Sequence, residues 1–356
     1  MKRGNISKAY VFVLCLILLG LHSSAVLGSD MQFGVTVIQP ENQRENTTGY
    51  FDIIMDPGSK QLIEIEITSV SQDTITILVE MASASTDSGG IVHYKPQQGR
   101  EGDYDESLPF SFDGIASIET PRFQLNPGET VRIPITIEMP CEEFDGIIAG
   151  GFGISQEIDL DTIRAESNDM IINVFSFEVP VIIRQNKNAV TPNLILLDVY
   201  ASQRNWRNIV AAHLQNTEMM FINQMSIYAR VTPAGSNETL FERFVESRQM
   251  APNSNFVFAI PLHGERFTSG DFLLHMEVSS NNGKWSFVRD FNITPEQARA
   301  LNDTDVSIQR TSLWVFITIG CVVLFVVFAS YMVILKRKAR RTIDEAVHEI
   351  MSRIRG

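Results

Sequence analysis

The 356-residue sequence predicts an all-β exterior of two tandem sandwiches, carried on one transmembrane helix near its C-terminus. Three observations lead there. Apolar and polar side chains alternate with a period of two at many places before residue 295, the pattern of strands with one buried face. No long amphipathic helix interrupts that stretch. The segment 313–335 carries no charged side chain and runs directly into Lys336-Arg337-Lys338-Ala339-Arg340-Arg341.

The N-terminus begins Met1-Lys2-Arg3, adds Lys8, and continues in an apolar run to a small-residue exit near Gly28. This is the layout of a secretory signal peptide, assigned to 1–28. The first sandwich is placed at 31–154. Ile63, Ile65 and Ile67 alternate with Glu64, Glu66 and Thr68; Ile75, Ile77, Val79 and Met81 form a second alternating run; Val131, Ile133, Ile135, Ile137 and Met139 form a third. A turn precedes two of these strands, Asp56-Pro57-Gly58 and Asn126-Pro127-Gly128, and Ala251-Pro252-Asn253 precedes a similar strand containing Phe256, Phe258 and Ile260. The echo predicts two domains of like build, with proline fixing one turn dihedral and Gly or Asn accepting a positive φ at the next. A polar segment at 155–167 is read as a linker, and the second sandwich is placed at 168–300. Within it Asn281-Asn282-Gly283-Lys284 marks a hairpin. Short strands at this spacing predict immunoglobulin-like sandwiches.

A bilayer core takes about 20 apolar residues as a helix, and positive charge marks the cytoplasmic side. The expected topology is therefore an exterior part, a span at 313–335 and a basic cytoplasmic tail at 336–356. Ile343, Val347, Ile350 and Ile354 recur at helical spacing among arginines, an amphipathic helix suited to an anionic inner leaflet.

Charge narrows the function. The whole chain carries a net −13. Residues 1–28 hold three basic side chains and no acidic one, and 313–356 hold seven basic and three acidic, so 29–312 holds 19 basic against 39 acidic, a net of −20. Phosphate would be repelled, which argues against nucleic-acid binding. Cys15 falls in the signal and Cys321 in the span, leaving Cys141 alone in the exported part, so no intrachain disulfide can form there.

Catalytic and metal patterns are missing from the sequence. The exterior histidines His93, His213, His263 and His275 lack zinc-motif spacing, and neither a G-x-S-x-G elbow nor a phosphate-binding loop occurs. Cys141 reads as a small strand-end residue rather than a nucleophile paired with His93. Asp103-Tyr104-Asp105-Glu106-Ser107 resembles the opening of a calcium loop, but Leu108 and Gly114 stand where the sixth-position Gly and twelfth-position Glu belong. Asp159 and Asp161 read as solubilising linker acids. No cofactor, no metal and no enzymatic activity are expected. Sequons at Asn46, Asn237, Asn292 and Asn302 would matter only in a eukaryotic host. The glycine-dense segment from Gly146 to Gly153 reads as a strand approached closely by other backbone. Two clusters offer ligand chemistry: Asn42 and Gln43 with Tyr50, and the segment leading to Tyr94. Amides donate and accept, and aromatic faces stack on sugar rings, so Asn42, Gln43, Tyr50 and Tyr94 are the candidate glycan-binding residues.

These same residues carry a resemblance to the WxL-interacting proteins of Gram-positive bacteria. The pieces are F-x-V-x-x-x-x-P-E-N-Q at 33–43, Tyr50-Phe51-Asp52, Pro57-Gly58, Ala84 followed by Gly90-x-x-x-Tyr94, and Phe144-Asp145-Gly146 leading to Gly150-Gly151. They occur in order over nearly the whole chain; Asp87-Ser88-Gly89-Gly90 departs from the Asn-rich turn expected there. The resemblance implies a first domain that binds peptidoglycan and a second that engages WxL-domain surface proteins or host extracellular components. The chain has no W-x-L of its own, since Asn208, Phe287 and Phe316 follow its three tryptophans at the third position. The function expected is a membrane-anchored cell-surface scaffold for adhesion. A wall-modifying enzyme and a single-pass receptor signalling through its tail are the alternatives.

Overall fold

A computed structural model describes residues 31–44, 47–97, 104–158, 175–309 and 313–355. The expected signal peptide, most of the expected linker, and Asp103, Asp159 and Asp161 lie outside these residues. The described chain is mostly β-sheet.

The first sandwich has two sheets. One orders β1 (Phe33–Ile38), β3 (Lys60–Ser69), β9 (Thr130–Glu138) and β7 (Ala116–Ile118) as β1-β3-β9-β7. The other comprises β2 (Phe51–Ile54), β11 (Ser176–Arg184), β10 (Ile148–Gln156), β4 (Ile75–Ser83) and β8 (Arg122–Leu125), in the order β2-β11-β10-β4-β8. The alternation read from the sequence is what fills the space between them: Ile63, Ile65, Ile67, Ile77, Ile135 and Ile137 are all buried in one core with Phe51, Phe112 and Phe152. Phe112 comes from a one-turn helix, α1 (Phe112–Ile115), and its ring meets Phe152 edge-on at 5.6 Å. A short hairpin, β5 (Ser85–Thr86) and β6 (Val92–His93), projects from the end of β4.

One strand sits where the sequence did not place it. β11 lies in the segment assigned to the second domain, 168–300, yet it pairs antiparallel with β10 and parallel with β2, inside the first sandwich. Its inward residues Val179, Val181 and Ile183 belong to the first core. The second sandwich therefore starts at β12, because only there do the buried side chains change core.

That second sandwich packs β12 (Leu194–Arg204), β13 (Arg207–Asn216) and β16 (Ser254–Pro261), ordered β12-β13-β16, against β14 (Ile222–Pro233), β15 (Phe241–Met250), β17 (Gly270–Ser279) and β18 (Lys284–Ile293), ordered β15-β14-β17-β18. A three-on-four Greek key of this order is immunoglobulin-like. The predicted hairpin joins β17 to β18, closed by Ser280 N donating to Gly283 O at 2.8 Å. In the three echoed turns Gly58, Gly128 and Asn253 all have positive φ (68°, 71° and 45°).

Helix α2 (Pro295–Thr304) follows β18. Thr294 caps it, its side chain accepting from Gln297 N while its own N donates to Gln297 Oε1. Asn302 is buried and accepts from Asn208 Nδ2 at 2.9 Å, while Asp305 Oδ2 accepts from Asn208 N at 2.8 Å. This polar knot fixes the segment after α2 to the start of β13. It also removes Asn302 from the surface, so that sequon is not available to a glycan. Helix α3 (Leu313–Arg355) contains the one stretch among the described residues long and apolar enough to cross a membrane, Ile317–Lys338, with a mean hydropathy of 2.6. The basic tail continues this helix without a break.

Candidate functional site

The outer face of the β2-β11-β10-β4-β8 sheet gathers most of the candidate residues. On β2, Phe51 and Ile53 point into the core, so Asp52 points out; on β11, inward Val179, Val181 and Ile183 leave Glu178, Ile182 and Arg184 outside. The parallel register sets Ile182 beside Asp52. Asp52 is 4% exposed and is held by two guanidiniums, Arg44 Nη1 at 2.8 Å and Arg184 Nη2 at 3.0 Å. Burial pulls the Arg184 guanidinium below its usual range; Asp52 opposes this and Arg44 adds to it.

The segment after β6 crosses this face. Glu178 Oε2 accepts from Tyr94 N at 2.7 Å, and Glu178 Oε1 stands 3.1 Å from His93 Nδ1 and 3.5 Å from Lys95 Nζ. His93 Nε2 reaches Asp87 Oδ2 at 3.5 Å. Backbone can lie this low only because β10 is glycine-rich. A Cβ at Gly151 would stand 2.4 Å from Val179 O and 2.8 Å from Tyr94 Cβ. The tyrosine hydroxyl of Tyr94 is pushed up to about 12, first by burial and then by the negative charge of Glu178 and the neighbouring Tyr50.

The fold thus brings Tyr50 and Tyr94 to one face, and it gives the two amides prior partners. Asn42 Nδ2 donates to Ile54 O at 2.8 Å and exchanges hydrogen bonds with the Gln61 amide at 2.9 and 2.8 Å. Gln43 Nε2 donates to Thr47 Oγ1 at 2.5 Å and to Tyr50 O at 3.0 Å, and its Oε1 accepts from Asp52 N at 3.3 Å. Gln43 therefore sets the turn that presents Tyr50. Asn42 remains exposed at its rim.

Sequence reasoning missed Glu178 and Arg184, because β11 was counted with the other domain. The polar-apolar alternation of Glu178-Val179-Pro180-Val181-Ile182-Ile183-Arg184 was the available signal.

The second constellation is the junction between the sandwiches. Thr86 Oγ1 and Ser254 Oγ lie 2.8 Å apart, both buried, and Ala251 N donates to Thr86 Oγ1 at 3.0 Å. Ile147 N donates to Met219 O at 2.8 Å, and Gln249 N to Gly90 O at 2.9 Å. Ala84, Val92, Ile147 and Ala149 from the first sandwich form an apolar cluster with Phe221 and Ala251 from the second, and Tyr94 packs on it. Asp105, weighed above as a calcium ligand, works here. Its Oδ1 accepts from Gln215 Nε2 at 2.6 Å, Ser107 N at 2.9 Å and Ser107 Oγ at 2.6 Å, and its Oδ2 accepts from Asn255 Nδ2 at 2.6 Å. Burial would raise this carboxyl, but those hydrogen bonds outweigh it and hold it below the usual carboxylate range. A small cleft remains beside it, lined by Ser83, Lys95, Tyr104, Asp105, Asn253 and Asn255.

Cys141 is exposed near the Pro57-Gly58 turn, where its Sγ would stand 3.1 Å from a Cβ at Gly58. Among the described residues no group of three or more His, Cys, Asp or Glu is placed to hold a metal ion.

Two family models match the chain in succession: the peptidoglycan binding domain of the WxL Interacting Protein at residues 33–156, and its host binding domain at 166–303. The second match opens before β11, which sheet pairing gives to the first sandwich. No curated protein matches the chain significantly. Similar solved structures include the YadV chaperone, 8% identical with a TM-score of 0.29 over 74% of this chain and 100% of that one. The E. coli chaperone DraB is 13% identical with a TM-score of 0.27 over 74% and 98%. The CsuC-CsuE chaperone-tip adhesion subunit complex of Acinetobacter baumannii is 10% identical with a TM-score of 0.31 over 72% and 98%.

Proposed function

The chain belongs to the WxL-interacting proteins, and from that membership we propose that it is a membrane-anchored, non-enzymatic scaffold of the Gram-positive cell surface. Its first sandwich holds peptidoglycan, its second engages a WxL-domain protein or a host extracellular component, and α3 crosses the membrane with the basic tail inside. The observation that carries this reading is the polarity of β13. At one end, Gln215 bonds across the junction to Asp105, and Ser254, in register with Asn216, bonds to Thr86. At the other end, Asn208 is bonded to Asn302 and Asp305, in the segment that leads to α3. Ten residues at about 3.3 Å each separate the two ends by roughly 30 Å. This separation supports a glycan-binding site held away from the bilayer, toward the wall.

On the first sandwich the wall glycan stacks on Tyr50 and Tyr94, with Asn42 at the rim and Gln43 presenting Tyr50. On the second, the outer face of the β15-β14-β17-β18 sheet offers Phe244, 58% exposed, directly opposite Tyr228. Aromatic anchors of this kind dominate protein interfaces. The test is co-sedimentation of the soluble exterior, residues 31–309, with purified Gram-positive peptidoglycan. Tyr50→Ala is expected to weaken pelleting about tenfold, equivalent to about 1.4 kcal/mol, and Asn42→Ala less. If every one of Asn42→Ala, Gln43→Ala, Tyr50→Ala and Tyr94→Phe binds as the parent does while retaining its circular dichroism, the face is misassigned.

A further inference from the structure

The tip of the β12–β13 hairpin is built in a way that the fold does not require. Arg204 and Arg207 are paired in register, and the two residues between them, Asn205 and Trp206, both have positive φ (51° and 58°). This is the two-residue hairpin turn that prefers Asn followed by Gly, because a side chain at the second position is strained. Tryptophan stands there instead. Its ring earns no burial in return, being 66% exposed.

Beside it is a second exposed apolar side chain. Val306 N donates to Trp206 O at 3.0 Å, and Val306 is 68% exposed. Arg207 is exposed and makes no ion pair among the described residues, while the Arg204 guanidinium donates to Ser88 O at 3.3 Å. The tip is thus Trp, Val and one free arginine, on a sandwich whose residues 194–309 hold nine basic and twelve acidic side chains.

Its location identifies what meets it. The tip is at the end of β13 remote from Gln215 and its bond to Asp105, and the β5–β6 turn of the first sandwich meets it through Ser88 and the long side chain of Arg204. Helix α3 begins at Leu313, seven residues after Val306, so the start of the apolar helix lies within about 25 Å of Val306 along an extended chain. Trp314 lies in the first turn of α3, and tryptophan gathers at the membrane–water boundary at the ends of such spans. An exposed tryptophan with an adjacent arginine suits the same boundary, its ring among the headgroups and its guanidinium near lipid phosphate.

We propose that Asn205-Trp206-Arg207, with Val306, docks on the outer surface of the phospholipid bilayer that α3 enters. The inference rests on the reading of α3 as a membrane span. A second contact beside the span restrains the tilt of the exterior on the membrane, which one point of attachment would not.

The chain has three tryptophans, Trp206, Trp285 and Trp314, so three single-tryptophan versions made by Trp→Phe substitution report three levels. Each full chain is inserted into vesicles of phosphatidylcholine and phosphatidylglycerol, with and without brominated acyl chains, which quench tryptophan fluorescence on contact. The version retaining Trp314 should be quenched, the one retaining Trp206 quenched and blue-shifted, and the one retaining Trp285 unaffected. No quenching of Trp314 would defeat the span itself. Quenching of Trp314 with a solvent-like, unquenched Trp206 would overturn the docking while leaving the span intact. Trp206→Gly separates a docking role from a folding one: it relaxes the turn, so the melting temperature should stay level or rise. A fall would assign the ring to the fold and overturn the proposal.

Discussion

Asp105 is the junction's most concentrated polar contact, and its removal should uncouple the sandwiches measurably. Its carboxylate accepts two hydrogen bonds from the second sandwich, from Gln215 and Asn255, both at 2.6 Å. Hydrogen bonds to a charged group contribute about 1.5–3 kcal/mol each. The carboxylate is only half-buried, and solvent screening reduces that to about 1 kcal/mol per bond. Asp105→Ala should therefore cost about 2 kcal/mol across the junction, plus the loss of its two local bonds from Ser107. The assay is urea unfolding of residues 31–309 followed by circular dichroism, arranged as double-mutant cycles with Asn255→Ala and Gln215→Ala so that the local loss cancels. Each cycle should return about 1 kcal/mol of coupling. Coupling below about 0.3 kcal/mol in both cycles would refute the tether. So would calcium raising the melting temperature of the parent but not of Asp105→Ala, since the carboxylate would then serve a cation.

Gly146 has a φ of 95°, and a Cβ there would stand 2.5 Å from Met219 O across the junction. Gly146→Ala should destabilise by about 2–3 kcal/mol by forcing that backbone contact apart, visible as a lowered urea midpoint. Acid should act through Asp105 and Asp305. Burial would raise both, but hydrogen bonds outweigh it, at Asp305 from Ser307, Asn208 and Ile308, so both carboxyls titrate below their usual value. A depressed folded value means stability that is complete above the unfolded value of about 3.9 and is lost as pH falls through the folded one. Melting temperature should accordingly fall at about pH 3 relative to pH 7, and by less in Asp105→Asn.

Much of this fold was legible because it rests on alternation. Ile63, Ile65 and Ile67, or Ile133, Ile135 and Ile137, announce a buried face by their spacing, and the pairing of β3 with β9 sets Ile63 opposite Ile135 and Ile65 opposite Ile133. The signal cannot say which partner a strand chooses. β11 alternates correctly and still belongs to the sandwich before it, because its inward residues complete the core under β2 and β10. The same limit applies to the site. Tyr50 and Tyr94 could be nominated for their chemistry, but Glu178, which holds the Tyr94 segment down, and Asp105, which reaches Gln215 and Asn255 from 110 and 150 residues away, act through contacts no local pattern encodes. Asn42 and Gln43 show the converse. Their residue types suit a ligand, and tertiary structure gives their amides internal partners.

The exterior's net of −20 raises the question of how it approaches an anionic wall, and the sheet face answers it locally. Around Tyr50 and Tyr94, Asp52 is matched by Arg44 and Arg184, and Glu178 by Lys95 and His93. Asp52 and Glu178 are thus paired within 3.5 Å, Glu80 of β4 is exposed on the same face with no ion pair among the described residues, and charges farther than about 10 Å away are screened at ordinary ionic strength. A glycan meeting these tyrosines therefore meets a nearly neutral surface, whatever the molecule's total charge. Stacking and hydrogen bonding then dominate recognition, and neither responds strongly to salt. Peptidoglycan binding by residues 31–309 should accordingly change less than about threefold between about 50 and 500 mM sodium chloride. A loss of about tenfold or more would mean that unpaired charge drives the contact, and would move the site off this face to an arginine- or lysine-bearing surface elsewhere on the first sandwich.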